Sequence, residues 1–244
     1  MERHTPEVLS IYPRAPSQQA WDAMSREAQA LVVAALPGEV TWNEMPMPEG
    51  DWHTEPRSQV LDLLRRHWAD QLRVAYVSSA LPVYYPEEPR FAPDLLVVLD
   101  AEPRPRDKWV CSAEGRGLDW GMEIHVGGDR KTVARDNVHR YARLGIREYF
   151  IFDGGLLTLE GYRLTHPGAC VYTRMVPREG RYSSEVLGLE IQVEGDLLRF
   201  WSGDSPLLSA SERIRQLEEQ YRGLLERRIA QLQAEMARMK KSQR

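Results

Sequence analysis

The apolar positions of this 244-residue chain change period several times along its length. From Gln18 to Ala35 (QQAWDAMSREAQALVVAA) they recur at helical spacing and stop before Pro37 and Gly38, which predicts a first helix. The polar, proline-rich stretch MPMPEGDWHTEP then reads as a loop. It leads to Arg57–Leu72, where Val60, Leu61, Leu63, Leu64, Trp68 and Leu72 form one stripe and predict a second helix. The period shortens after that. Val74–Ser78 and Pro82–Tyr85 are short β-branched and aromatic runs, and Leu95–Leu99 is continuously apolar, as a strand buried on both faces would be. A loop rich in Pro, Arg and Gly separates it from a strand at Trp120–Val126, which stops at the Gly127-Gly128 turn signal. A helix over Thr132–Leu144 follows, closed by Gly145, and then a strand at Tyr149–Phe152. Strand, strand, helix, strand implies a sheet with at least one crossover, hence an α/β fold. From Leu156 to Phe200 short strands with glycine turns (LTLEGYRL, CVYTRMV, YSSEVL, LEIQVE, LLRFW) predict a β-meander.

The last segment has a different character. Ser209 to Glu212 matches the S-x-x-E capping box, and Ile214, Leu217, Tyr221, Leu224, Leu225, Ile229, Leu232, Met236 and Met239 run as an apolar seam down a helix of about thirty residues. A four-residue step near Leu225 breaks the strict heptad like a stutter in a short coiled coil, so self-association through residues 209–239 is expected. The chain therefore divides into a main domain at 1–205 and a helix at 206–244. The charge divides with it: the tail holds 9 Lys and Arg against 5 Glu, a net charge of +4, while the whole chain carries −4.

Composition narrows the class. With 42% apolar and 28% charged residues the chain is an ordinary globular one. Cys111 and Cys170 are too few for a disulfide framework or zinc knuckle, and no apolar run is long enough for a signal peptide or membrane span. A cytoplasmic protein with no membrane partner is expected. GxGxxG, P-loop, HExxH and GxSxG patterns are missing from the sequence, and no organic cofactor is expected. GGDRKT at 127–132 lacks the P-loop spacing and reads as a turn.

Chemistry concentrates in FAPDLLVVLD and WGMEIHV. Asp94 sits at the mouth of a buried strand and Glu123 in the middle of the next, where a lone charge is costly. If these strands pair, the carboxylates converge on one hard cation. Mg²⁺ (or Mn²⁺) needs only one or two carboxylates plus substrate phosphate, and it suits phosphodiester hydrolysis. His125, two residues beyond Glu123, shares its face, and Lys131 follows; either could meet the charge on the attacked phosphate. The bland reading makes Asp94 a turn residue and His125 a backbone partner.

From about Trp42 to Phe200 the sequence resembles the Uma-two family of restriction endonucleases, a branch of the PD-(D/E)XK nuclease superfamily. The matching pieces, in order, are YYPEEPRFAPDLLVVLD, AEGRGLDWGMEI, DNVHRYARLGIREYFIFD and SSEVLGLEIQVEGDLLRFW. The resemblance implies a restriction-endonuclease-like mixed β-sheet flanked by helices, DNA as substrate, and Asp94 and Glu123 as the metal-binding acids. Two positions depart from the pattern. His125 stands at the E-x-K lysine, and Asn137 stands where relatives often carry a helical lysine, four residues before Tyr141. The cation is then His125, Lys131 or missing, and the last case describes a nuclease fold kept for interaction through its C-terminal helix; an enzyme of another class on this fold is a third reading. Glu49, His53 and Glu55 are further acid or base candidates. Trp42, Trp52, Tyr84 and Tyr85 are candidate base-stacking platforms, although core or strand-edge packing is the commoner fate of such residues, and Arg104, Arg106, Lys108, Arg116, Arg130 and Lys131 are a candidate phosphate-contacting patch.

Overall fold

A computed structural model describes residues 13–39, 50–126 and 130–242, with 52–53, 130–134 and 240–242 described by backbone alone. The first predicted helix is two: α1 (Gln18–Asp22) and α2 (Arg26–Ala35). Ser25 separates them because its hydroxyl accepts the Ala28 N–H at 3.3 Å, starting a new helix where the apolar spacing alone suggested continuity. The helix α3 (Asp51–Ala69) begins six residues before its predicted start, inside the stretch read as a loop. It carries Pro56 in its second turn, and Pro56 is what made this segment look non-helical.

The strands β1 (Ala75–Ser78), β2 (Val83–Tyr84) and β3 (Leu95–Leu99) follow as expected. The Pro- and Arg-rich loop turns out to hold a two-residue strand, β4 (Trp109–Val110), and a short helix, α4 (Cys111–Glu114). β5 (Trp120–His125), α5 (Arg130–Arg143) and β6 (Glu148–Asp153) form a strand–helix–strand crossover, with Gly145 at φ 76° ending the helix as its lack of a Cβ allows. The meander supplies β7 (Thr158–Leu164), β8 (Tyr172–Arg174), β9 (Tyr182–Ser184), β10 (Leu189–Glu194), β11 (Leu197–Ser202) and β12 (Ser205–Pro206).

Six strands make the main mixed sheet in the order β1-β3-β5-β6-β7-β8, in which only β5 and β6 run parallel. A second sheet has the order β12-β11-β10-β9, and β2 pairs with β4. Period-2 alternation gives the central strands two unlike faces. Trp120, Met122, Phe150 and Phe152 on one face are entirely buried. Each such side chain contributes roughly 1.5–3 kcal/mol by leaving water. The other face carries Leu96, Val98, Tyr149 and Ile151, packed with Tyr141 of α5. The same face holds Glu123 and His125 on β5, which places the polar groups of the site under α5.

Residues 1–206 form one compact unit and 207–244 a second. The second contains α6 (Ala210–Ser242). Its capping box is present: Glu212 N–H donates to the Ser209 hydroxyl at 3.2 Å, and Ser209 N–H donates to the Glu212 carboxylate at 2.8 Å.

Candidate active site

The register Leu95↔Met122 and Leu96↔Gly121 between antiparallel β3 and β5 sets Asp94, the residue before β3, opposite Glu123. The Asp94 carboxylate acts directly on the Glu123 carboxyl across this pair. Asp94 is steered by the backbone of β5, since its Oδ2 accepts the Ile124 N–H at 2.8 Å. Glu123 is held from above by α5: its Oε1 accepts from the Tyr141 hydroxyl at 3.0 Å and from Asn137 Nδ2 at 3.3 Å. These two donors are one helical turn apart, which is why a single carboxylate oxygen can meet both. Tyr141 is itself fixed between the rings of Phe91 and Tyr149, at 5.0 and 4.9 Å between centroids. From α3 comes Arg57, whose Nη1 is 3.9 Å from Asp94 Oδ1.

Burial pushes the Glu123 carboxyl well above the usual carboxylate range, and the neighbouring Asp94 charge pushes it further. The Tyr141 hydroxyl pulls the other way. Two acids so close, one of them desolvated, need a proton or a cation between them. Among the described residues no group of three or more His, Cys, Asp or Glu comes together to hold a metal. Two carboxylates nevertheless fit Mg²⁺ or Mn²⁺, which take their remaining oxygens from water and substrate phosphate.

The other predicted residues fall as follows. His125 lies on the same face but is buried and directs Nδ1 toward Asp153, 3.7 Å from Oδ2. Asp153 in turn accepts the Gly155 and Leu156 N–H groups at 3.0 Å each. Lys131 is in the first turn of α5; its side chain and that of Arg130 lie outside the described residues, as do Glu49, Trp42 and the side chains of Trp52 and His53. Glu55 is exposed on α3.

Tyr84 and Tyr85 take the core reading and not the stacking one: the Tyr84 hydroxyl donates to Pro37 O at 2.8 Å, and the Tyr85 hydroxyl accepts the Leu118 N–H at 2.8 Å. The described part of the basic patch is spent on the fold. Arg106 binds Glu114 at 2.7 Å and stacks on Tyr76 and Trp109, Lys108 donates to Leu36 O, Arg116 donates to Leu99 O, and Arg104 pairs with Glu114 at the surface. Arg57 and Tyr141 were not singled out by the sequence reading; only the helical four-residue spacing of Asn137 and Tyr141 could have paired these two.

The family model described as "Uma2: Putative restriction endonuclease" matches residues 33–194, two thirds of the chain. The chain belongs to this family. The Uma2 match spans both acids and all of the main sheet. A solved structure titled as a putative nuclease belonging to DUF820, from Anabaena variabilis ATCC 29413, is similar at 17% identity and a TM-score of 0.42, covering 58% of this chain and 76% of that one. No curated protein matches the chain. Among the described residues no helix is long and apolar enough to cross a membrane.

Proposed function

We propose that this Uma2 protein is a divalent-metal-dependent endonuclease that hydrolyses DNA phosphodiester bonds, with Asp94 and Glu123 as the metal ligands. The observation that carries this reading is the pairing of two carboxyl groups across β3 and β5, in surroundings that disfavour their joint charge. When bound, Mg²⁺ or Mn²⁺ would polarise the phosphoryl oxygen and ease deprotonation of a water. The chain's own part is positioning. The Ile124 N–H orients Asp94, and Tyr141 and Asn137 hold one oxygen of Glu123, so the ligand oxygens are set before substrate arrives. His125, buried on the same face with Asp153 behind it, and Lys131, in the first turn of α5, remain the proposed proton-carrying and charge-neutralising groups. The reading puts the protein in the cytoplasm, in keeping with the free thiols of Cys111 and Cys170.

The test is incubation of purified protein with plasmid and single-stranded DNA in Mg²⁺ or Mn²⁺, beside an Asp94→Ala, Glu123→Ala double variant. Cutting by the unmodified chain alone is expected. A second reading, a nuclease fold kept for interaction, is favoured by Asn137, a neutral amide in contact with Glu123 where relatives often carry lysine, and by the exposed apolar seam of α6. In that reading the protein neither cuts nor binds metal in calorimetry, and it self-associates through residues 209–239.

A further inference from the structure

A phosphate entering beside Asp94 and Glu123 brings negative charge to two acids, and hydrolysis adds more in the transition state. A preorganised cation there is worth far more than one in bulk water. Neither lysine of the family pattern is present on the strand or at the helical position, and Asn137, which takes the latter place, offers only a neutral amide. Two arginines in the second half of α5 are committed elsewhere. Arg140 donates to Pro89 O and lies over the Phe91 ring, and Arg143 pairs with Glu88 at 2.9 Å.

Arg57 is different. It stands in the second turn of α3, next to buried Pro56, with its side chain 21% exposed. It faces Asp94 at 3.9 Å, too far for a hydrogen bond, so it is held near the acids by charge while its N–H donors are not consumed by them. Among the described residues no hydrogen bond takes up those donors. A planar guanidinium in that state matches two oxygens of a phosphate.

We propose that Arg57 is a catalytic residue that contacts the scissile phosphate, adding from α3 a positive charge to the roles proposed above for His125 and Lys131. This rests on the nuclease reading above. The competing role for Arg57 is a counter-ion that only neutralises Asp94, and the two roles predict opposite outcomes. A counter-ion competes with metal, so its removal would tighten metal binding and leave cleavage at saturating metal intact. A phosphate ligand, once removed, leaves metal binding in place and takes cleavage and DNA contact with it.

The experiment compares the full-length chain with Arg57→Ala and Arg57→Lys, using the Asp94→Ala, Glu123→Ala double variant as the blank. Plasmid cleavage is measured at saturating Mn²⁺, Mn²⁺ binding by calorimetry, and binding of a short DNA duplex in Ca²⁺ across a salt series. The expected result for Arg57→Ala is Mn²⁺ binding within a few-fold of the unmodified chain and cleavage down about 10²–10³-fold. The slope of log affinity against log salt should also be shallower by about one. Arg57→Lys should recover part of each. Cleavage by Arg57→Ala within about threefold of the unmodified chain overturns the proposal and leaves the nuclease reading standing. If the unmodified chain cuts no better than the blank, the nuclease reading fails and the catalytic role of Arg57 falls with it.

Discussion

At the scale of single residues the site is a balance of charge against burial, and Glu123 is where that balance is measurable. Its folded-state pKa is raised, so its contribution to stability is complete below the ordinary carboxylate range and is lost as pH rises through the raised value. Glu123→Gln keeps the shape without the charge. In EDTA the variant should melt together with the unmodified protein near pH 4 and several degrees above it at pH 8; equal melting temperatures at both pH values would sink the account of Glu123 as a strained acid. Adding Mn²⁺ at pH 8 should raise the unmodified protein and leave the variant nearly unmoved, because binding to the folded state adds stability as RT ln(1 + [L]/Kd). Tyr141→Phe removes a hydroxyl from the Glu123 carboxylate and should cost about 1–2 kcal/mol in urea unfolding. It should also weaken Mn²⁺ binding, since the lost bond favours the charged form. A cost under about 0.3 kcal/mol together with unchanged metal affinity would contradict that role. Asp94 and Glu123 stand out in the sequence because one opens and the other interrupts a buried apolar run, although the same pattern left a turn role open for Asp94. Arg57 and Tyr141 do not, because they reach the site from helices, and nothing along a single chain says which turn of a helix ends up over which strand.

At the scale of elements, the strands with continuous apolar runs were readable to within a residue or two, since burial on both faces leaves few alternatives. Errors arose where one local signal outweighed another. Ser25 splits a helix that hydrophobic spacing had joined, Pro56 lies within a helix that its presence had seemed to exclude, and β4 is too short to show a period. What joins the two larger sheets is a polar device that no pattern announces. Glu148 on β6 is 1% exposed and accepts from Arg163 Nε of β7 at 2.8 Å, from the Ser184 hydroxyl of β9, and from the Glu185 N–H at 2.8 Å. Its removal strands several donors at once. Glu148→Ala should therefore lower the unfolding free energy by about 3 kcal/mol. Arg163 is partly exposed and can rehydrate, which keeps the loss below the upper end for buried pairs. A loss below 1 kcal/mol in chemical denaturation would mean that apolar contacts such as Phe150–Tyr182 hold the sheets without help.

At the scale of the whole molecule, the second unit raises a separate physical question: what keeps a lone helix folded. α6 has 33 residues and so extends about 50 Å. Its capping box fixes the start, but caps and propensity alone leave isolated helices marginal in water, and helices in proteins draw most of their stability from packing an apolar face. Ile214, Leu217, Tyr221, Leu224, Leu225, Ile229, Leu232, Met236 and Met239 form such a face, and every one of them is exposed. A second α6 would cover it with matching chemistry. In a parallel, in-register pair with Ile214 and Leu217 at the a and d positions, Arg213 falls at g and Glu218 at the facing e, so the flanking charges attract. Light scattering should therefore give a mass above that of one chain for the full protein, and Leu217→Asp with Leu232→Asp should lower it. Deleting 207–244 should lower it too while leaving a cooperatively melting domain, because residues 1–206 are compact by themselves. The mass must also fall on dilution if the seam is the joint. A truncated chain with the same mass as the full one would place the association elsewhere and leave the apolar seam of α6 without this explanation.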